Sequence, residues 1–206
     1  MEIEFLLKGV ILGLGIAAPL GPIGILCIRR TLTYGKYTGI ISGLGAATAD
    51  AFYGLIASIG LTFVTSLFIE QQHWFQLVGA LFLSYLGIRI FTAKESHEMV
   101  TTLEKQHFRA FSTTFLLTLT NPMTILSFAA IFSGLGIANT TVEFAPKVLL
   151  VVGVFLGSSL WWVFLSLIVS LIKNRITRFT FLINKVSGVI LLAFSLWAFY
   201  EVLTGF

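Results

Sequence analysis

Residues 148–172 read VLLVVGVFLGSSLWWVFLSLIVSLI, an uninterrupted apolar run without a single charge. A helix needs roughly 20 mostly apolar residues to cross the hydrocarbon of a bilayer. This stretch is long enough, so it reads as a transmembrane helix rather than a buried core helix. Working outward, five further runs share its character, at about 5–27, 38–68, 73–92, 111–137 and 180–203. The sequence therefore predicts an all-α integral membrane protein of six transmembrane helices. The whole of 1–206 is then one transmembrane domain, with short connectors except for 93–110. Composition agrees: 57% of residues are hydrophobic and 11% charged, where a soluble domain is about a quarter charged. A water-soluble domain, a disordered chain and an ordinary nucleic-acid binder are excluded on this ground. The first run opens on Glu2 and Glu4 rather than on a basic segment, so it is read as a retained helix and not a signal peptide.

The bases set the topology. Arg29, Arg30 and Lys36 follow span 1; Arg89, Lys94, Lys105 and Arg109 surround the third-to-fourth connector; Lys173, Arg175, Arg178 and Lys185 follow span 5. The other side holds only Lys8 and Lys147. Lys and Arg accumulate in cytoplasmic loops, so the odd connectors are expected to be cytoplasmic and both termini outside. The net charge of +4 is read in the same way.

Two spans carry prolines at matched places. Span 1 contains Pro19-Leu20-Gly21-Pro22, and span 4 contains Thr120-Asn121-Pro122. Proline lacks the backbone donor and clashes with the preceding turn, so both helices should bend or break. In lipid the freed carbonyls need partners, so such breaks face protein or a watery cavity. Three-helix repeats of opposite orientation with paired broken helices are a transporter architecture. The expectation is two inverted repeats, about 1–92 and 111–206, joined by the cytoplasmic connector 93–110. Prolines that kink helices for packing alone are the competing reading.

Asp50 is the only full charge deep in a span. It lies roughly 18 Å along span 2 at 1.5 Å per residue, near the midplane. An ionised carboxylate there costs about 3 kcal/mol or more, and the sequence offers no obvious buried Lys or Arg beside it. Burial without a cation favours the protonated form, which suits a proton-coupled step or an ammonium-binding role. A protonated Asp bonded to a neighbouring helix as structural glue is the alternative. Tyr53, three residues on, shares its helix face. Lys8, Arg89, Lys185 and Glu201 lie close enough to span ends to reach the interface.

Other polar and small residues sort by face. Gly9 and Gly13 in span 1, Gly39, Gly43, Ala46, Ala47 and Gly54 in span 2, and Gly153, Gly157 and Ser158 in span 5 predict close helix packing. Span 4 carries Thr113, Thr120, Thr124 and Ser127 on one face, and Asn121 offers two donors and an acceptor beside the break. The half-helix N-terminus expected after Pro122 favours an anionic group such as a carboxylate. With Asp50 for an ammonium, such a midplane suits a zwitterion. Trp161 and Trp162 sit mid-span, where one could line a cavity or both could pack.

Catalytic and cofactor signatures are missing from the sequence. There is no HExxH, no Cys/His cluster, no GxSxG and no Walker loop. His73, His97 and His107 fall at span ends or in connectors. The single Cys27 excludes a disulfide framework within the chain. Neither an enzyme nor a metal or cofactor protein is expected.

Gly15-Ile-Ala-Ala-Pro19-Leu-Gly21-Pro22, a basic segment, Gly43-Leu-Gly45 leading to Asp50, and Leu119-Thr120-Asn121-Pro122 together resemble the LysE family of amino-acid exporters. The resemblance extends over the whole chain in length, span number and order. It implies proton-driven export of amino acids across the bacterial inner membrane by a multi-pass protein. Carried over, Pro19, Gly21 and Pro22 form the broken first helix, Asp50 is the intramembrane acid, and Asn121-Pro122 is the paired break. Met123 stands where the family often has Lys. A related branch moves divalent metals such as cadmium, and another performs thiol redox with a cysteine pair, which the lone Cys27 does not supply.

The resulting expectation is an exporter of small amino acids or related zwitterions, with no cofactor. Its partners are the substrate, protons and the bilayer, with no nucleic acid. Asp50, Asn121, Tyr53, Thr120 and Trp161 are the candidate substrate and proton residues. A divalent-metal exporter on the same scaffold and a non-transporting membrane assembly protein are the alternatives. Glycine-rich helix faces permit a homodimer.

Overall fold

The computed structural model describes residues 2–19, 21–59, 70–93, 103–121, 124, 127–128, 144–176 and 180–204. Among these residues seven helices form: α1 (Glu2–Ala17), α2 (Pro22–Tyr34), α3 (Lys36–Ile59), α4 (Gln72–Phe91), α5 (Leu103–Leu119), α6 (Phe144–Ile176) and α7 (Thr180–Thr204). Stretches within α3, α4, α6 and α7 are long and apolar enough to cross a membrane, and α1 with α2 forms a fifth such unit bent by 82°. Leucines and isoleucines such as Ile11, Leu171, Leu196 and Leu203 cover the outside. Ser42, Gln76, Thr114, Ser158, Ser166 and Ser195 are buried inside. Apolar outside and polar inside is the arrangement that a lipid solvent rewards.

The expected break in span 1 is present, but the run read as 5–27 is two helices extending to Tyr34. Pro19 disfavours helical geometry at Ala18, and the chain turns tightly with the Gly21 amide donating to the Pro19 carbonyl, 3.0 Å. Helix restarts with Gly21 as N-cap and Pro22 at the first helical position, where a missing donor has no cost. The second helix ends at Gly35, whose φ of 97° is the only positive φ among the described residues. That value favours glycine and lets α3 begin almost at once.

This continuation corrects the placement of two bases. Arg29 and Arg30, expected in a solvated connector, belong to α2 and are 7% and 8% exposed. The Arg30 guanidinium donates to Ser42 Oγ (2.6 Å), Thr114 Oγ1 (2.6 Å), the Ala110 carbonyl (2.8 Å) and Thr113 Oγ1. Arg29 donates to Asn184 Oδ1, 2.9 Å. Five donors in a planar fork can satisfy several helices at once, so Arg30 fastens α2 to α3 and α5, and Arg29 fastens α2 to α7. Both bases are therefore buried in the bundle rather than set in a connector.

Backbone-to-backbone approach holds α1 on α6. A Cβ on Gly9 or Gly13 would lie 2.2 Å from the carbonyl oxygen of Leu150 or Val154, and one on Gly157 2.1 Å from that of Val10. The predicted small-residue faces thus pack as expected. In addition, α3 packs on α5 and α6, α4 on α7, and α2 on α3, α6 and α7. The remainder of span 2 beyond Ile59, Pro122 with most of the second half of span 4, and residues 94–102, half of connector 93–110, lie outside the described residues. The end of that connector is already helical, since α5 starts at Leu103.

Candidate functional site

The two broken helices meet across a cavity. A space of about 340 Å³ is lined by Pro19, Gly21, Pro22 and Ile23 from the first break and by Thr120, Asn121, Thr124 and Ser127 from the second. Gln76, Gly79, Ala80 and Leu83 of α4 and Phe194, Trp197, Ala198 and Glu201 of α7 close it. Of the expected site residues, Pro19, Gly21, Pro22, Thr120 and Asn121 are brought together here. Thr120 Oγ1 donates back to the Leu116 carbonyl at 3.0 Å, the local satisfaction common for hydroxyls in helices. The N-terminus of α2 also lies at this cavity, with Gly21 as N-cap and no side-chain capping bond. A helix start presents amide donors and a partial positive charge, so this edge of the cavity favours an anionic group.

Two polar residues here were not foreseen as a site. Gln76 is only 1% exposed. Its Nε2 donates to Glu201 Oε2, and its Oε1 is buried without a partner among the described residues. Glu201, expected near a span end, is in the last turn of α7 and lines the cavity. The signal was present in part: Gln76 is an amide inside an otherwise apolar span. Its pairing with a residue 125 positions away was not readable. A carboxylate and an amide oxygen together offer acceptors, which is what an ammonium group with three donors requires.

Asp50, Tyr53 and Trp161 do not line this cavity. Asp50 is 3% exposed and accepts a hydrogen bond from Ser158 Oγ at 2.7 Å. The same hydroxyl accepts from Trp162 Nε1 at 3.2 Å, giving a buried Trp162–Ser158–Asp50 chain between α6 and α3. Tyr53 is buried on the same helix, and its hydroxyl donates to the carbonyl of Leu119, the last residue of α5. Its ring packs on Phe128, centroids 5.7 Å apart. Tyr53 thus satisfies a carbonyl left open where the fourth span breaks. This ties the Asp50 helix to a wall of the cavity. Trp161 packs on the core formed around Leu26, Leu117 and Leu191, and its Nε1 is buried with no acceptor among the described residues. Trp197 is the tryptophan that lines the cavity.

A second space, about 280 Å³, opens toward the other end of the same helices. Leu26, Arg29, Arg30 and Tyr34 of α2, Phe82, Tyr85, Leu86 and Arg89 of α4, and Lys105, Arg109 and Thr113 of α5 lie around it. The two spaces share no lining residue. On α4 the two linings adjoin at Phe82 and Leu83, while on α2 the step from one to the other is Ile23 to Leu26, about one helical turn. Leu117 and Thr113 make the same step on α5. These buried leucines and Ile23 belong to one core cluster, which forms an apolar layer between the cavities.

Comparisons with known proteins find relatives over most of the chain. The chain is 29% identical over 201 residues, 95% of each chain, to a protein of Bacillus subtilis (strain 168) named "Putative amino acid efflux protein YcgF". It is 26% identical over 184 residues to "Uncharacterized membrane protein YrhP" of the same strain, covering 84% of this chain and 87% of that one. It is 28% identical over 182 residues to "Uncharacterized membrane protein YahN" of Escherichia coli (strain K12), covering 86% of this chain and 81% of the relative. No solved structure matches it. The family model described as LysE type translocator matches residues 14–201, a range that takes in both breaks, the Asp50 chain and both cavities. With nearly the whole chain matched, this multi-pass membrane protein belongs to the LysE type translocator family.

Proposed function

We propose that the protein exports small amino acids or related zwitterions across the bacterial inner membrane, by alternating access coupled to proton antiport. The carrying observation is the cavity between the two breaks, with a helix start at one edge and the Gln76–Glu201 pair on its wall. A substrate carboxylate docks at the N-terminus of α2, with Asn121 beside it, and the ammonium docks at Glu201 and Gln76. The amino-acid efflux name of the Bacillus relative supports the same substrate class.

Asp50 takes the proton. It sits outside the cavity, and its α3 helix reaches the cavity wall through Tyr53 and the end of α5. Protonation alters the bond from Ser158 and hence the seating of α3 on α6. The apolar layer of Ile23, Leu26, Leu83, Leu86 and Leu117 is the barrier that must part for substrate to pass between the two spaces.

Six spans in two inverted repeats fit the packing. Take α1 with α2 as span 1, α3 and α4 as spans 2 and 3, α5 with its continuation as span 4, and α6 and α7 as spans 5 and 6. A two-fold relation exchanging the halves maps the contact of spans 1 and 5 onto that of spans 4 and 2. It maps 2 with 5, and 3 with 6, onto themselves. All four contacts are present.

The test is efflux of a labelled amino-acid panel from proteoliposomes, with and without an inward proton gradient. Wild type should release one or a few amino acids in a gradient-dependent way. Asp50→Asn should lose the gradient dependence, and Glu201→Gln should raise KM. Absence of efflux for every amino acid from folded, inserted protein would refute the reading, as would gradient-dependent efflux by Asp50→Asn.

A further inference from the structure

The second cavity has a chemistry that the export reading does not use. Five of its lining residues are bases: Arg29, Arg30, Arg89, Lys105 and Arg109. No Asp or Glu lines it among the described residues. They come from three helices, α2, α4 and α5, separated by up to 80 positions in sequence. A solvated charged face normally mixes signs, and nearby like charges repel unless something compensates them.

Arg30 makes the strongest case for a built site. It is 8% exposed, and its hydrogen-bond partners among the described residues are all neutral: three hydroxyls and one carbonyl. Hydrogen bonds to neutral acceptors orient a guanidinium without cancelling its charge. Each hydroxyl is itself held. Thr113 donates to the Arg109 carbonyl at 2.6 Å, Thr114 donates to that of Ala110 at 2.9 Å, and Ser42 lies 2.6 Å from Thr114. The fork is thus fixed in place at the wall of a cavity whose described lining carries five bases and no acid. Such a field concentrates anions, and arginine clusters are suited to carboxylate and phosphate oxygens.

We propose that this cavity is a binding site for an oxyanion, a carboxylate or phosphate group, held by Arg30 at its base and by Arg89, Lys105 and Arg109 at its mouth. The tyrosines Tyr34 and Tyr85 and the half-open mouth leave room for the remainder of the molecule. Two sources supply this chemistry: the headgroup of an anionic phospholipid and a soluble anion. The site does not depend on the identity of the exported substrate.

The test uses the purified full-length protein in neutral detergent. Binding is measured for inorganic phosphate, for acetate, and for short-chain phosphatidylglycerol with short-chain phosphatidylcholine as the neutral control. Intrinsic fluorescence or native mass spectrometry reads it at several salt concentrations. Three proteins are compared: wild type, Arg89→Gln with Arg109→Gln, and Lys8→Gln with Lys147→Gln, which removes the same charge far from the cavity. The expected result is salt-sensitive anion binding, weakened at least tenfold by the cavity variant and unchanged by the distant one. Binding of phosphatidylglycerol alone supports the site with a lipid source. Binding of phosphate or acetate supports it with a soluble source. No anion binding, or equal loss in both variants, would overturn the proposal.

Discussion

Replacing Gly13 by alanine tests the packing on which the Asp50 chain rests. On an isolated helix the change stabilises, because alanine exceeds glycine by up to about 1 kcal/mol in helix propensity. In the bundle the added Cβ falls 2.2 Å from the Val154 carbonyl oxygen and 2.8 Å from the Ser158 amide, where ordinary contact begins near 3.4 Å. The shortfall is about 1.2 Å, and both obstacles are backbone, so no rotamer relieves it. α1 and α6 must part, at the segment that carries the 2.7 Å Ser158–Asp50 bond. Overpacking costs about 1–3 kcal/mol, and a weakened buried hydrogen bond adds roughly 1 kcal/mol. Set against the helix-propensity gain, net destabilisation of about 1–3 kcal/mol is expected. Gly15→Ala is the control, since nothing lies within 4 Å of its Cβ; it should be neutral or stabilising. The single cysteine, Cys27, is 1% exposed, so its labelling by a thiol-reactive dye against temperature reports unfolding in detergent or vesicles. Gly13→Ala should label at a lower temperature than wild type and Gly15→Ala should not. If both variants melt at or above wild type, the close α1–α6 approach is wrong.

Ser158→Ala strands two buried groups, Asp50 and Trp162 Nε1, and should cost about 1–3 kcal/mol in the same labelling assay; it should also shift the pH profile of efflux, whereas a purely structural bond would leave that profile in place. Arg30→Lys keeps the charge but cannot reach four acceptors with a planar fork, so a loss of about 2 kcal/mol is expected from the melting curve. Leu83→Ala opens the layer between the cavities. Leu→Ala in a core costs about 2–5 kcal/mol, and proteoliposomes carrying it should leak substrate without a proton gradient; a tight, fully coupled variant would contradict the barrier role.

Much of the architecture was legible because a bilayer imposes strong one-dimensional rules. The uncharged run at 148–172 falls within α6, the prolines at 19 and 22 mark the restart of helix at α2, and Gly9, Gly13, Gly153 and Gly157 meet as their spacing foretold. Each of these features acts on its own segment: hydrocarbon thickness sets length, ring closure removes a donor, and a missing Cβ permits approach. Asp50 was legible as a buried acid for the same reason, since nothing else in its helix could hide it.

The partners were settled only in three dimensions. Arg29 and Arg30 read as loop bases because charge in a span is costly, yet Ser42, Thr113, Thr114 and Asn184 from three other helices repay that cost. Asp50 and Asn121 seemed to share one site, but the face of α3 turns Asp50 toward Ser158 while Asn121 lines the cavity. Gln76 and Glu201, far apart in sequence, become a pair because α4 and α7 pack side by side. Sequence by itself determined where the chain spans, breaks and approaches closely, because those follow from local chemistry. Which polar groups face one another, and which share a cavity, depended on helix rotation and packing, and these only the tertiary structure decided.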